Sequence, residues 1–371
     1  MDLAGIPVVD HHAHNIALDD VIAATPYQAP FTEASDPETV REFAPDILAY
    51  RRSLRDLAEL FGVEADAGAL LAERGRLGVE EVTRRCFEAA NMEALFLDDG
   101  LMEGKIRPLD WHSRFVTTRR VLRLEVLAQK HIRDARSFEA FLESFRAAVD
   151  PAPEGVVAFK SIAAYRTGLQ IGPPDLEAAA ASFREVKREH PEGEARLAEK
   201  PLVDLVVVEG LRAAARQGLP TQFHTGFGDP DLDLRLANPL HLRPVLEDPE
   251  LKHARLVLLH ASYPYAREAG YLAAMYPQVF VDYGLAVPCL SVAGMRRALA
   301  MLLELAPTSK VLYSSDAHVV PELYYVCARW GRRVLGDVLE AAVADGDLSP
   351  AEAEGAAEAV LRGNAHRVYR W

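Results

Sequence analysis

Residues 8–14 read VVDHHAH: two β-branched apolar residues running into a carboxylate and three imidazoles. The same shape recurs further along as VVAFKSIA at 156–163, PTQFHTG at 220–226, RLVLLHA at 255–261 and VLYSSDA at 311–317. Each is a short run of strand-forming residues ending in a group that buried strands avoid. Desolvating an imidazole, ammonium or carboxylate costs several kcal/mol unless it is paired or binds a metal. One such ending carries little weight. Five in order along one chain describe strands whose C-terminal ends meet at one polar site, as they do at the mouth of a parallel barrel.

Working outward, the strand candidates are Pro7–Asp10, Ala94–Leu97, Val121–Leu127 with Glu125 inside it, Gly155–Ile162, Pro220–His224, Arg255–His260, Val279–Asp282 and Lys310–Ser314. Helical stretches separate them, which implies parallel pairing through right-handed crossovers. Runs such as VVAF and RLVLL lack polar alternation, as strands covered on both faces should. The pattern predicts an α/β fold, a (β/α)8 TIM barrel, over residues 1–371. An open doubly wound sheet is the rival, but it gives no reason for polar residues to converge from these strands.

A long insertion is expected after the first strand, over about residues 16–90. Within it YRRSLRDLAELFGV and GVEEVTRRCFEAAN carry apolar residues at helical spacing. A charge-rich helical block is expected over residues 175–217. The tail is expected to be helical from Ala351 to Leu361, to turn at Gly363, and to pack on the barrel.

The 371 residues are 50% apolar with a net charge of −14, enough for a large core and against nucleic acid or an anionic membrane as main partner. No stretch approaches the roughly 18 apolar residues of a membrane span, and no signal peptide is read at the N-terminus. Cys86, Cys289 and Cys327 are scattered, which fits a reducing cytoplasm. A small-molecule substrate is the expected partner. Tyr50, Arg51 and Arg52 in the insertion are a candidate contact for a homo-oligomer.

His12 and His14 are two apart, so on a strand both imidazoles can reach one cation, with His11 between them turned to barrel packing. His224 and His260 each close a strand, and Asp316 follows the last. Singly, each has a plain structural reading: a core or surface histidine, or a helix N-cap in the case of Asp316. Twelve histidines in this chain make a random position His about one time in thirty. Four at strand ends, with an aspartate closing the set, are hard to obtain by chance. Imidazole and carboxylate donors in this mix suit Zn²⁺ best, with Mn²⁺, Fe²⁺ or Co²⁺ compatible. Lys160 cannot ligate as an ammonium; read structurally it lies over the rim or pairs with Glu125 or Asp99. CO₂ added to its neutral amine would give a carbamate able to bridge two metals.

The pattern His12-x-His14, Lys160, His224, His260 and Asp316 resembles the amidohydrolase superfamily. FKSIAAYRTGL at 159–169, LPTQFHTGFGD at 219–229, SSDAHVVPELYY at 314–325 and GNAHRVY at 363–369 are similar to the amidohydrolase-related branch found at the N-terminus of nodulin/glutamine-synthetase-like fusion proteins. No synthetase-like part is read in the chain up to Trp371. The resemblance implies one or two divalent metals held by His12, His14, Lys160, His224, His260 and Asp316. It also implies hydrolysis of a small amide, C–N or ester substrate by a metal-activated water, with Asp316, or His260 in a one-metal site, as acid–base group. Arg166 is the candidate clamp for a substrate carboxylate, Tyr165 a donor to a developing oxyanion, and His318 a further pocket residue. Glu125 and Asp282 are read as supports of the ligand set, and Asp229, Asp231 and Asp233 as a solvated loop. The alternatives are a single-zinc non-oxidative decarboxylase on the same barrel, or a non-catalytic scaffold.

Overall fold

The computed structural model describes residues 1–190 and 195–371. Eight parallel strands pair in sequence order: β1 Val8–Ala13, β2 Met92–Asp98, β3 Thr117–Arg123, β4 Val156–Ser161, β5 Pro220–Phe223, β6 Arg255–Leu258, β7 Val279–Asp282 and β8 Val311–Leu312. The seam between β8 and β1 is bridged by backbone bonds from Asp316 N–H to His12 O at 3.0 Å and from His14 N–H to Ala317 O at 2.8 Å. The fold is the (β/α)8 barrel that the alternating pattern predicts.

Among the boundaries that differ from expectation, three change the reading. β3 begins at Thr117 and ends at Arg123, and Glu125 lies in the first turn of the helix Leu124–Asp134. The apolar positions of LEVLAQKHI serve a helical face, and the strand is built instead from the charged stretch TTRRVLR. β1 runs on to Ala13, so His11 and His12 belong to the strand itself, with a register irregularity between Asp10 and Ala13. Gly363 has helical torsions (φ −60°, ψ −36°), and the tail stays helical to Val368.

That tail closes the barrel from within. Val368 and Tyr369 pack with Val9, Phe96, Val257 and Leu312 in an apolar cluster separate from the main core. Tyr369 OH lies 2.8 Å from His11 Nδ1. The residues expected in one helical block form two helices, Leu176–Glu189 and Lys200–Gln217, and its positions 191–194 fall outside the described residues.

The insertion carries the helices Asp19–Ala24, Pro37–Glu42, Leu48–Phe61, Ala67–Leu77 and Val79–Ala89. It is fastened to the helix after β8, Pro321–Asp345, by a buried Arg74–Glu322 pair at 2.7 Å and by Arg52 stacked on Trp330 at 4.7 Å. Tyr50 is buried beside Tyr27 and Phe31, so within the Tyr50–Arg52 triplet only Arg51 is exposed. The three cysteines are free thiols. Among the described residues no helix is long and apolar enough to cross a membrane.

His112 pins the start of the insertion. Its Nε2 lies 3.0 Å from the Ile16 N–H and accepts from it, and its Nδ1–H donates to Pro108 O at 3.0 Å, so the ring must be neutral. Burial lowers its pKa to about 4. The folded state therefore favours the neutral ring. That contribution is full above the unfolded value of about 6.5 and is lost as pH falls toward 4, about 3 kcal/mol at 1.36 kcal/mol per unit. Urea unfolding at pH 7 and pH 4.5 should show a smaller loss for His112→Gln than for the parent chain; equal losses would contradict this account.

Candidate metal centre

The polar strand ends meet at one rim. Asp316 Oδ1 lies 3.1 Å from His12 Nε2 and 3.3 Å from His14 Nε2, and Asp316 Oδ2 lies 3.9 Å from His260 Nδ1. His12, His260 and Asp316 each offer a donor atom within 4.8 Å of the others. The His224 ring sits 4.4 Å from the His260 ring, centroid to centroid, and Lys160 Nζ is 3.2 Å from His12 Nε2. All six side chains are buried.

The hydrogen bonds show what this cluster is shaped to hold. His14 Nδ1 lies 2.9 Å from the Asp98 carbonyl, which can only accept, so Nδ1 carries the proton. Burial pulls His12 down to about 4, and pulls His224 and His260 well below the ordinary histidine value. His260, His12 and His14 hold Asp316 well below the carboxylate range against the opposing effect of burial. Ring nitrogens of His12, His14 and His260 thus converge on an ionised carboxylate, and His260 Nδ1 is buried without a hydrogen-bond partner. Imidazole nitrogens and a carboxylate brought together in this way are a donor set that fits a divalent cation.

The backbone beneath is held in an uncommon conformation. Asp316 and His260 both have positive φ, +53° and +70°, as do Ala261 and Ser262. The His260 N–H donates to Asp282 Oδ1 at 2.6 Å, and Asp282 Oδ2 lies 3.1 Å from His11 Nε2. His11 therefore turns away from Asp316 into a chain of contacts running Tyr369, His11, Asp282, His260. His224 Nε2–H donates to Phe227 O at 3.0 Å, which leaves its Nδ1 as the free donor atom.

That last contact depends on Gly226, whose φ is +72° and whose missing Cβ would stand 2.4 Å from the Ser262 carbonyl carbon and the Tyr263 oxygen. Gly226→Ala should cost about 1–3 kcal/mol or more and loosen His224. A lower Tm together with weaker metal retention is expected, and an unchanged Tm would contradict the packing described.

Lys160 contacts neither acid proposed from sequence. Asp99 binds Arg120 at 2.9 Å, and Glu125 accepts from Ser161 Oγ at 2.7 Å and Ile162 N–H at 3.0 Å. Glu125 braces the end of β4 from behind. Burial draws the Lys160 amine down to about 8, with Asp98 and Asp316 opposing.

A cavity of about 580 Å³ opens above the cluster, lined among others by His14, Lys160, His224, His260, Asp316, Tyr165, Arg166 and His318. His318 Nδ1 lies 3.2 Å from Asp316 O. Arg166 Nε is buried without an acceptor, and the guanidinium has no ion-pair partner among the described residues. In the acidic loop Asp231 binds Arg196 at 2.7 Å and Asp233 binds Arg235 at 2.7 Å, while Asp229 lines the cavity.

Three contributors went unread in the sequence. Asp98 and Arg123 form a buried ion pair at 2.6 Å behind His14; the only signal was an acid and a base closing neighbouring strands. Glu33 enters the cavity from the insertion, and nothing local marks it.

A family model described as amidohydrolase matches residues 175–371. Protein fluG of Emericella nidulans is 34% identical over 403 residues, covering 98% of this chain and 45% of the relative, so the chain spans less than half of that protein's length. A solved structure from Lactobacillus casei, described as a metal-dependent hydrolase, superposes with a TM-score of 0.85 at 31% identity, covering 99% of this chain and 96% of that one. The uronate isomerase of Thermotoga maritima shares the fold, with a TM-score of 0.67 at 15% identity and coverage of 99% and 95%. Histidines and an aspartate gathered at the rim of this barrel, over a sequence that matches the family model for more than half its length, make the chain a member of the amidohydrolase family.

Proposed function

We propose that the protein is a metal-dependent hydrolase acting on a small amide, C–N or ester substrate that carries a carboxylate. The observation that supports this most is the convergence of His12 Nε2 and His14 Nε2 on Asp316 Oδ1 at 3.1 and 3.3 Å, a donor set that suits a cation. Zn²⁺ suits the donors best, with Mn²⁺, Fe²⁺ or Co²⁺ compatible. Held by these donors, such an ion would bring the pKa of water down to about 7 and polarise a substrate carbonyl.

The chain's own groups supply the rest. Asp316 accepts the proton of the attacking water and returns it to the leaving nitrogen or oxygen; His260, 3.9 Å away, is the second group able to carry it. Arg166 clamps the substrate carboxylate with its planar fork, and His318 lines the same cavity. Tyr165 stays protonated, because burial and nearby acids raise its pKa, and so can donate to a developing oxyanion. Lys160, with an amine near 8, has a neutral fraction at physiological pH that CO₂ can carboxylate.

Zinc-loaded protein should hydrolyse members of a panel of carboxylate-bearing amides and esters. Bicarbonate should raise bound metal from about one equivalent toward two, and Lys160→Ala should abolish that rise. Metal content indifferent to Lys160→Ala would remove the carbamate from the account. CO₂ release from carboxylates without any hydrolysis would replace the reaction by decarboxylation.

A further inference from the structure

The cavity holds one acid that the reaction above does not use. Glu33, just past the short turn Ala29–Phe31 of the insertion, lines the same cavity as Asp316 and Arg166. Among the described residues its carboxyl has neither a hydrogen bond nor an ion pair. Burial, with Asp316 and Asp229 as negative electrostatic neighbours adding to it, pushes its pKa up to about 8. Other acids nearby are satisfied: Asp231 is held by Arg196 at 2.7 Å and Asp98 by Arg123 at 2.6 Å.

Arg166 is the complementary case. The nearest cations, Arg196 and Arg123, are committed to those acids, while Arg166 has no ion-pair partner and its Nε lacks an acceptor. Glu33 and Arg166 do not meet each other, since no ion pair joins them within the cavity they share. An unpaired charge in a partly desolvated site is unfavourable. An acid and a guanidinium without partners, lining one cavity of about 580 Å³, are complementary to a ligand that brings a positive charge to the first and a negative charge to the second.

We propose that Glu33 and Arg166 select a small zwitterionic amide, its ammonium on Glu33 and its carboxylate on Arg166, with the charges at opposite ends as in an unblocked dipeptide. The assignment rests on the hydrolytic reading of the same site for what happens to the bond between those charges. There the amide C–N bond breaks, the water oxygen joins the acyl carbon to form a carboxylate, and the leaving nitrogen takes a proton.

The test uses alanyl-alanine, its N-acetylated form and its C-terminal amide as probes. Binding is measured by thermal shift on the metal-replete protein and on Glu33→Gln and Arg166→Gln, with product analysis of the same mixtures. The unblocked dipeptide should bind at least tenfold more tightly than either blocked form. Glu33→Gln should erase its advantage over the N-acetylated probe, and Arg166→Gln its advantage over the amide. Without ligand, Glu33→Gln should keep or raise Tm, because it removes an acid from beside two others. Equal affinity for blocked and unblocked probes, a preference that survives Glu33→Gln, or a Tm several degrees lower in that variant would overturn the assignment. Selective binding without cleavage would uphold it and count against hydrolysis. Cleavage of the N-acetylated and unblocked probes at equal rates would do the reverse.

Discussion

Asp316→Asn should lower hydrolytic turnover by about a thousandfold or more while leaving the fold intact. The carboxylate stands within 3.1–3.9 Å of ring nitrogens from three histidines and is the only negatively charged member of the cluster. The amide is nearly isosteric, but it brings N–H donors where lone pairs are needed and cannot accept the proton of the attacking water. Loss of a positioned general base costs 10²–10⁴-fold, and weakened metal retention adds to it. The fold should survive because the amide fills the same space; a modest fall in metal-free Tm is expected, since His260, His12 and His14 hold the carboxylate in its ionised form and that contribution is lost. If Asp316→Asn kept both metal and turnover, Asp316 would be neither ligand nor base. If it unfolded the chain, the carboxylate would be structural.

Arg123→Ala should destabilise the protein by about 3–5 kcal/mol, the usual cost of stripping the partner from a buried charge. Asp98 is fully buried at the end of β2 and accepts from Arg123 Nε at 3.0 Å and Nη2 at 2.6 Å. Arg123, His14 and Lys160 together hold the Asp98 carboxyl below the normal range despite burial. With its pKa depressed, Asp98 contributes stability above the unfolded value of about 4, and that contribution is lost in acid. Without Arg123, burial is opposed only by His14 and Lys160, and the pKa rises. The sign reverses, and the deficit should shrink as pH falls from 7 toward 5. Adding Asp98→Asn to Arg123→Ala should restore much of the loss. Urea unfolding of the three variants at both pH values checks this, and a deficit independent of pH would mean that packing, not charge, sets the cost. Because the Asp98 carbonyl fixes the His14 tautomer, metal affinity should fall with Arg123→Ala as well.

The polar cluster was legible because each member interrupts an apolar run, and that contrast survives in one dimension. His12, His14, His224, His260 and Asp316 are displayed by strands that the core would otherwise keep wholly apolar. The third strand was harder: RLEVLAQ is apolar at spacings that serve strand or helix equally, and tertiary packing decided for helix. The Asp98–Arg123 pair joins strands 25 residues apart in the chain, so only the barrel's register reveals it. Glu33 sits in an irregular segment with no periodicity at all. The plug formed by Val368 and Tyr369 was equally hidden, since an amphipathic tail reads the same whether it lies on a barrel or closes one.

The most direct test of a cation-shaped cluster is elemental analysis of protein purified without chelator, paired with the His12→Asn, His14→Asn double variant. One to two equivalents of a divalent transition metal in the parent chain, and well under a tenth of that in the variant, is the predicted result. A parent chain that stays metal-free after incubation with Zn²⁺, Mn²⁺, Fe²⁺ and Co²⁺ would contradict it.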